Sequence, residues 1–305
     1  VSEPRRIDHL PLGGEGGLPY SKGLLARALV ASGLSAGRAW ELALRVESDL
    51  EARGEASVDL ERLEELAQDV LGEDEGIDAV RRLRRFRELH ELDLPIVVLI
   101  GGGTGTGKSR VATEIAYRLG ITRVTSTDFI RQTMRAFFAE EFMPSIHYSS
   151  FEAGKAAPEA TDPTIAGFVD QTRNVLVGVR AVTERALHEG WSMVLEGVHL
   201  VPGMVPPVNG ALAVQCVLEI ESEDVHAGHF WVRDSATSGL RPVERYLDEL
   251  AEIRHVQQYI VDRARRADIP VIENSNIDAT IGTVMDLVLE SAERLGAVGS
   301  GLHLA

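Results

Sequence analysis

Gly102-Gly103-Thr104-Gly105-Thr106-Gly107-Lys108-Ser109 has the spacing of a phosphate-binding loop, with Gly102, Gly107, Lys108 and Ser109 at its defining positions. Small residues let successive backbone N–H groups curl around phosphate oxygens, and a helix opening near Lys108 turns its positive end toward them. On this pattern Lys108 reaches the β- and γ-phosphates of a nucleotide and the Ser109 hydroxyl ligands Mg²⁺. Gly102, Gly103, Thr104, Gly105, Thr106, Gly107, Lys108, Ser109 and Arg110 make up the expected nucleotide contact.

Further acidic and basic residues follow at intervals that suit phosphoryl transfer. Thr122-Arg123-Val124-Thr125-Ser126-Thr127-Asp128 reads as a strand ending at a carboxylate. There Asp128 either orients an acceptor hydroxyl and takes its proton, or caps the helix that follows. Arg131 and Arg135, four apart, share a helix face and would clamp an acceptor's carboxylate or phosphate, or form a solvated flank. Met193-Val194-Leu195-Glu196 closes another apolar strand on a carboxylate that would support Mg²⁺ through water. His199, three residues on, either contacts the acceptor or satisfies a loop carbonyl. His226 and His229 have no third ligand nearby, which argues against a metal. Arg233, Arg241 and Arg245 read instead as belonging to a lid near 228–245 that excludes water and neutralises developing charge, Arg233 first and Arg241 next. Arg254 reads as structural. Asn274, after the last strand, contacts the nucleotide base or caps the next helix.

These side chains need a scaffold that gathers strand ends at one edge. Before about residue 93 the apolar spacing is helical throughout, around Leu24–Leu29, Trp40–Leu50, Leu60–Leu71 and Val80–Phe86. From Pro95 strands alternate with helices, the grammar of a mostly parallel sheet covered on both faces. Strands are expected at 96–100, 122–126, 192–195, 212–218 and 269–272. Helices are expected at 108–119, 128–141, 165–190, 222–232, 243–267 and 279–295. Residues 142–162 contain Pro144 and Pro158, run into Pro163 and lack a clear period, which suggests a substrate-side loop or mobile insertion. The expected fold class is therefore α/β of the P-loop NTPase type, residues 94–305, preceded by a small helical domain, residues 1–93.

Composition narrows the partners. The 305 residues carry 31 basic and 47 acidic side chains, a net charge of -16, which disfavours a broad nucleic-acid footprint. A few arginines still suffice for a local anionic-substrate pocket. Cys216 is the only cysteine, so no internal disulfide or cysteine-based zinc site can form. No signal-peptide pattern or bilayer-length apolar run stands out, so a cytoplasmic protein without a membrane partner is expected. An exposed apolar helix face would allow a homodimer.

Together these segments resemble the 2-phosphoglycerate kinase family. The resemblance rests on Pro19-Tyr20-Ser21-Lys22-Gly23-Leu24-Leu25-Ala26-Arg27, on Gly101 to Ser109, on Ser126-Thr127-Asp128-Phe129-Ile130-Arg131 and on Glu196-Gly197-Val198-His199-Leu200-Val201-Pro202-Gly203. Arg254 to Ile260 adds a weaker match. The resemblance implies phosphorylation of 2-phospho-D-glycerate by ATP with Mg²⁺, giving 2,3-bisphosphoglycerate. It also implies an N-terminal region similar to an ATP-cone, which Gly33-Leu34-Ser35 and Ala39-Trp40-Glu41-Leu42-Ala43 fit loosely. A kinase of another small hydroxylated acceptor (a polyol, sugar or nucleoside) and an ATP-binding regulatory protein are the competing readings.

Overall fold

Leu25, Leu29, Leu42, Val46, Leu63, Leu66, Val80 and Leu83 meet in one apolar interior because they recur at helical spacing on four consecutive helices. These are α1 (Lys22–Ala31), α2 (Ala36–Arg53), α3 (Leu60–Leu71) and α4 (Glu73–Glu91). Ser21 caps α1 through the Leu24 N–H, and Asp59 caps α3 through that of Arg62. Ser35, in the same place before α2, makes no such bond. Asp49 is buried but matched: the Arg62 guanidinium forks onto both its oxygens and holds its carboxyl below the usual carboxylate range. The computed structural model describes residues 20–92, 94–237 and 243–301. The chain forms two compact units, one spanning Leu94–Val288 and the other the residues before it with those from Leu289 on. The last part of the C-terminal helix thus belongs with the helical unit, not with 94–305 as the sequence division has it.

The second unit is built on a five-stranded, wholly parallel sheet. Its central strand is β1 (Ile96–Gly102), in which all seven residues are buried. The others are β2 (Val124–Ser126), β3 (Met193–Glu196), β4 (Leu212–Glu219) and β5 (Val271–Glu273), in spatial order β2-β3-β1-β4-β5. Central strands are near-continuous apolar runs, as two covered faces require, while the edge strands β2 and β5 are short and partly exposed. The order in which strands are added reverses about β1: the next strand in sequence lies two places to one side, and β4 lies on the other. Such a switch point opens a crevice at the carboxyl ends of the strands.

Helices α5 (Lys108–Arg118), α6 (Thr127–Phe137), α7 (Pro163–His188), α8 (Glu223–Thr237), α9 (Val243–Asp248), α10 (Leu250–Arg266) and α11 (Ile277–Gly301) complete the chain. Asp162 caps α7 with Pro163 at its first position, as the sequence suggests. The single helix expected over 243–267 is two, because Glu249 leaves the helical conformation between them. Residues 142–162 are irregular apart from two short 3₁₀ turns, Pro144–His147 and Ala153–Ala156. They are no loose insertion. Ile146, Phe151 and Ala153 are buried, and a Cβ on Gly167 of α7 would lie 2.0 Å from the Ala153 carbonyl oxygen. Among the described residues no helix is long and apolar enough to cross a membrane.

Candidate active site at the phosphate loop

The loop between β1 and α5 turns through left-handed backbone at Gly105 (φ +88°) and Gly107 (φ +83°), which L side chains rarely adopt. Space forbids side chains there as well. A Cβ on Gly105 would stand 2.5 Å from the Phe230 ring, and one on Gly107 would stand 2.4 Å from Asn274 Nδ2. Among the described residues the N–H groups of Gly105, Gly107, Lys108 and Ser109 take no hydrogen-bond partner, so the opening of α5 presents a bare set of donors. Lys108 is buried and donates to the Gly103 carbonyl. Burial lowers its pKa, while the carboxylates of Glu196 and Asp128 act in the opposite sense.

The Ser109 hydroxyl donates to Glu196 Oε1 at 2.9 Å, joining the loop to the end of β3. Register puts Glu196 beside Ile100 on one side and Ser126 on the other, so both acidic strand ends meet the loop at one edge. A hydroxyl and a carboxylate at this distance are hard oxygen donors suited to Mg²⁺, which keeps several waters and takes its remaining ligands from phosphate. Among the described residues no cluster of three or more His, Cys, Asp or Glu forms an all-protein metal cage.

Asp128 does not cap α6. Ser126 does, its Oγ accepting from the Phe129 N–H at 3.0 Å. The Asp128 side chain is 61% exposed, and both bonds from Arg131 fall on Oδ1, leaving Oδ2 open. Arg131 itself does not face an open crevice. It is 5% exposed, and its other donors go to the Ile146 and Tyr148 carbonyls at 2.9 and 2.8 Å. Arg135, one turn on, is exposed and among the described residues bonds Gln132. The shared face inferred from their spacing divides because residues 144–148 cover α6 at Arg131.

His199 is likewise withdrawn from any ligand. It is fully buried, with Nδ1 2.8 Å from Thr127 Oγ1 and Nε2 2.9 Å from Gln171 Oε1. The Gln171 amide N–H₂ donates to the Ser145 and Tyr148 carbonyls, which leaves its oxygen to accept from His199 Nε2–H. Nδ1 therefore accepts from Thr127. Burial, then the nearby Arg131 charge, lowers the His199 pKa to about 3, so the ring is neutral. Gln171 carries no motif and Thr127 no assigned role in the sequence; their fully buried polar side chains show their use only in the folded chain. Gly197 (φ +150°) belongs to the same knot, since a Cβ there would meet Thr127 Oγ1 at 1.9 Å.

The next helix is capped by Asn276, not by Asn274. Asn274 is buried and donates to the Thr106 carbonyl at 2.8 Å, holding the phosphate loop from behind. His226 and His229 also serve the loop, bonding the Thr104 and Gly105 carbonyls. Burial takes His226 down to about 4, so it too is neutral. Arg254 is structural, donating to the Glu221 carbonyl at 2.8 Å. Arg233 lies on α8, outside the described side chains, and Arg241 lies outside the described residues. Arg245 pairs with Glu152.

Two cavities flank α5. One, of about 360 Å³, is lined by Ser109, Thr113, Val124, Thr125, Phe129 and Glu196. The other, of about 400 Å³, is lined by Arg110, Thr113, Glu114, Ile277, Asp278 and Ile281.

No protein-family profile matches the chain. Individual proteins do. A 2-phosphoglycerate kinase of Thermococcus kodakarensis is 39% identical over 281 residues, 92% of this chain and 96% of that protein. The chain belongs to the 2-phosphoglycerate kinase family. A 2-phosphoglycerate kinase of Methanopyrus kandleri is 37% identical over 89% of this chain and 84% of its own length. That of Methanothermobacter thermautotrophicus is 35% identical over 92% and 94%. Coverage of this extent includes both units, so membership rests on far more than the phosphate loop. As a member of a kinase family the protein is a phosphotransferase with a hydroxyl acceptor.

Proposed function

We propose that the protein transfers the γ-phosphoryl group of ATP to the free hydroxyl of 2-phospho-D-glycerate, giving 2,3-bisphosphoglycerate. One observation carries this reading: a phosphate loop tied by Ser109 to Glu196, in a chain matching 2-phosphoglycerate kinases along nearly their whole length. Lys108 and the N–H groups at the start of α5 hold the β- and γ-phosphates; on ligand binding the Lys108 ammonium leaves the Gly103 carbonyl for phosphate oxygen. Ser109 and Glu196 would hold Mg²⁺, whose charge offsets that of the phosphates. The base occupies the cavity beside Arg110 and Ile277.

Asp128 Oδ2 accepts the proton of the attacking hydroxyl while Arg131 fixes Oδ1. Arg131 and His199 act through Asp128 and Thr127 rather than on substrate. The acceptor's negative groups are left to exposed Arg135 and to Arg233 and Arg241 of the lid, which also exclude water. The test is a panel of acceptors (2-phosphoglycerate, 3-phosphoglycerate, glycerate, polyols, sugars and nucleosides) incubated with protein, ATP and Mg²⁺. Phosphate should pass to 2-phosphoglycerate at least about tenfold faster than to any other, a gap of ~1.4 kcal/mol in barrier height. Preference for a sugar or nucleoside would contradict the assignment.

A further inference from the structure

Three successive loop carbonyls are each held from outside by a different nitrogen. Thr104 O takes His226 Nε2 at 2.7 Å, Gly105 O takes His229 Nδ1 at 3.0 Å, and Thr106 O takes Asn274 Nδ2 at 2.8 Å. A carbonyl oxygen only accepts, so each imidazole carries its proton on the nitrogen facing the loop. A trans peptide sets C=O and the following N–H on opposite sides. Holding the Thr104 and Thr106 carbonyls outward therefore aims the N–H groups of Gly105 and Gly107 inward, while His229 on the Gly105 carbonyl fixes the peptide between them, whose N–H closes the turn onto the Gly103 carbonyl.

His226 and His229 are three apart on α8, hence on one helix face, and so match two adjacent carbonyls. Packing seats that face. Phe230 lies against Gly105, and the rings of His226, Phe230 and Tyr246 stack at 5.4 and 5.0 Å between centroids. At position 226 a phenyl ring would keep the stack on Phe230 but lose the bond to the Thr104 carbonyl. Imidazole adds only the donor, and does so although its buried Nδ1 has no partner. A side chain that leaves one nitrogen unsatisfied to aim the other at a loop carbonyl is placed for that bond, not for packing.

We infer that His226 and His229 are positioning residues of the nucleotide site, clamping the carbonyl face of the phosphate loop so that its N–H groups stay aimed at the triphosphate. The start of α8 is then a fixed brace for the loop. This rests on the reading of the loop as the ATP site. The test is calorimetric titration of the full chain with MgATP, for wild type, His226→Phe, His229→Phe and the donor-restoring His226→Gln and His229→Asn. The amide nitrogens of the last two stand near the lost Nε2 and Nδ1. Each Phe variant should bind ATP about tenfold more weakly, which is ~1.4 kcal/mol. The Gln and Asn variants should recover to within about threefold, with the KM for acceptor unchanged throughout. Since His229 is only half-buried, its variants report even if the position 226 variants fold poorly. Wild-type affinity in both Phe variants, or equal losses in the Phe and amide variants, would overturn the inference. A wild-type protein that binds no ATP would remove the loop reading itself, and the brace with it.

Discussion

Lys108 and Ser109 were legible at once because their positions are set by the loop they belong to, a short run of consecutive residues. Replacing Lys108 with Ala should abolish turnover while leaving the circular dichroism spectrum unchanged; substantial turnover would remove its assigned role. Asp128→Asn should lower kcat about a hundredfold or more with little change in ATP affinity, as loss of a proton acceptor predicts. Arg131, His199 and Asn274 read as ligand contacts, yet each is turned to backbone or to another buried side chain. Whether a polar group meets a ligand or its own fold depends on neighbours distant in sequence, here residues 144–148, Gln171 and the phosphate loop. Burial holds His199 at about 3 against its ordinary 6.5. The unfolded chain protonates this ring below about pH 6.5 while the folded chain does not. Its contribution to stability is therefore intact above about pH 6.5 and lost as pH falls toward 3, at ~1.4 kcal/mol per pH unit. Urea midpoints between about pH 7 and 5 should fall less steeply for His199→Gln than for wild type; parallel curves would mean the folded ring already titrates normally.

Strands and helices of the second unit follow the expected alternation closely, because two covered sheet faces demand apolar runs and leave little choice of period. Edge strands and helix breaks were less legible. The interruption at Glu249 and the packing of 142–162 depend on tertiary contacts, which periodicity does not encode. Gly167 marks where that segment meets α7. Gly167→Ala should destabilise the protein by about 1–3 kcal/mol, since the clash is with backbone that cannot rotate away. The same variant should lower kcat, because the segment it displaces carries the carbonyls that hold Arg131 beside Asp128. Full activity with unchanged melting would show that this packing is looser than the geometry indicates.

At the scale of the whole molecule, an acidic chain of net charge -16 handles two polyanions, so the site must supply its own positive potential. Loop N–H groups and Lys108 do this locally, and MgATP should raise the melting temperature by mass action. That rise should vanish in Lys108→Ala. The central claim is transfer from ATP to the free hydroxyl of 2-phosphoglycerate, and a single turnover with ATP labelled in its γ-phosphate reads it directly. The account predicts that the label appears in 2,3-bisphosphoglycerate, on the oxygen that was unphosphorylated, and nowhere else. Label released as inorganic phosphate at the same rate with and without 2-phosphoglycerate would contradict it.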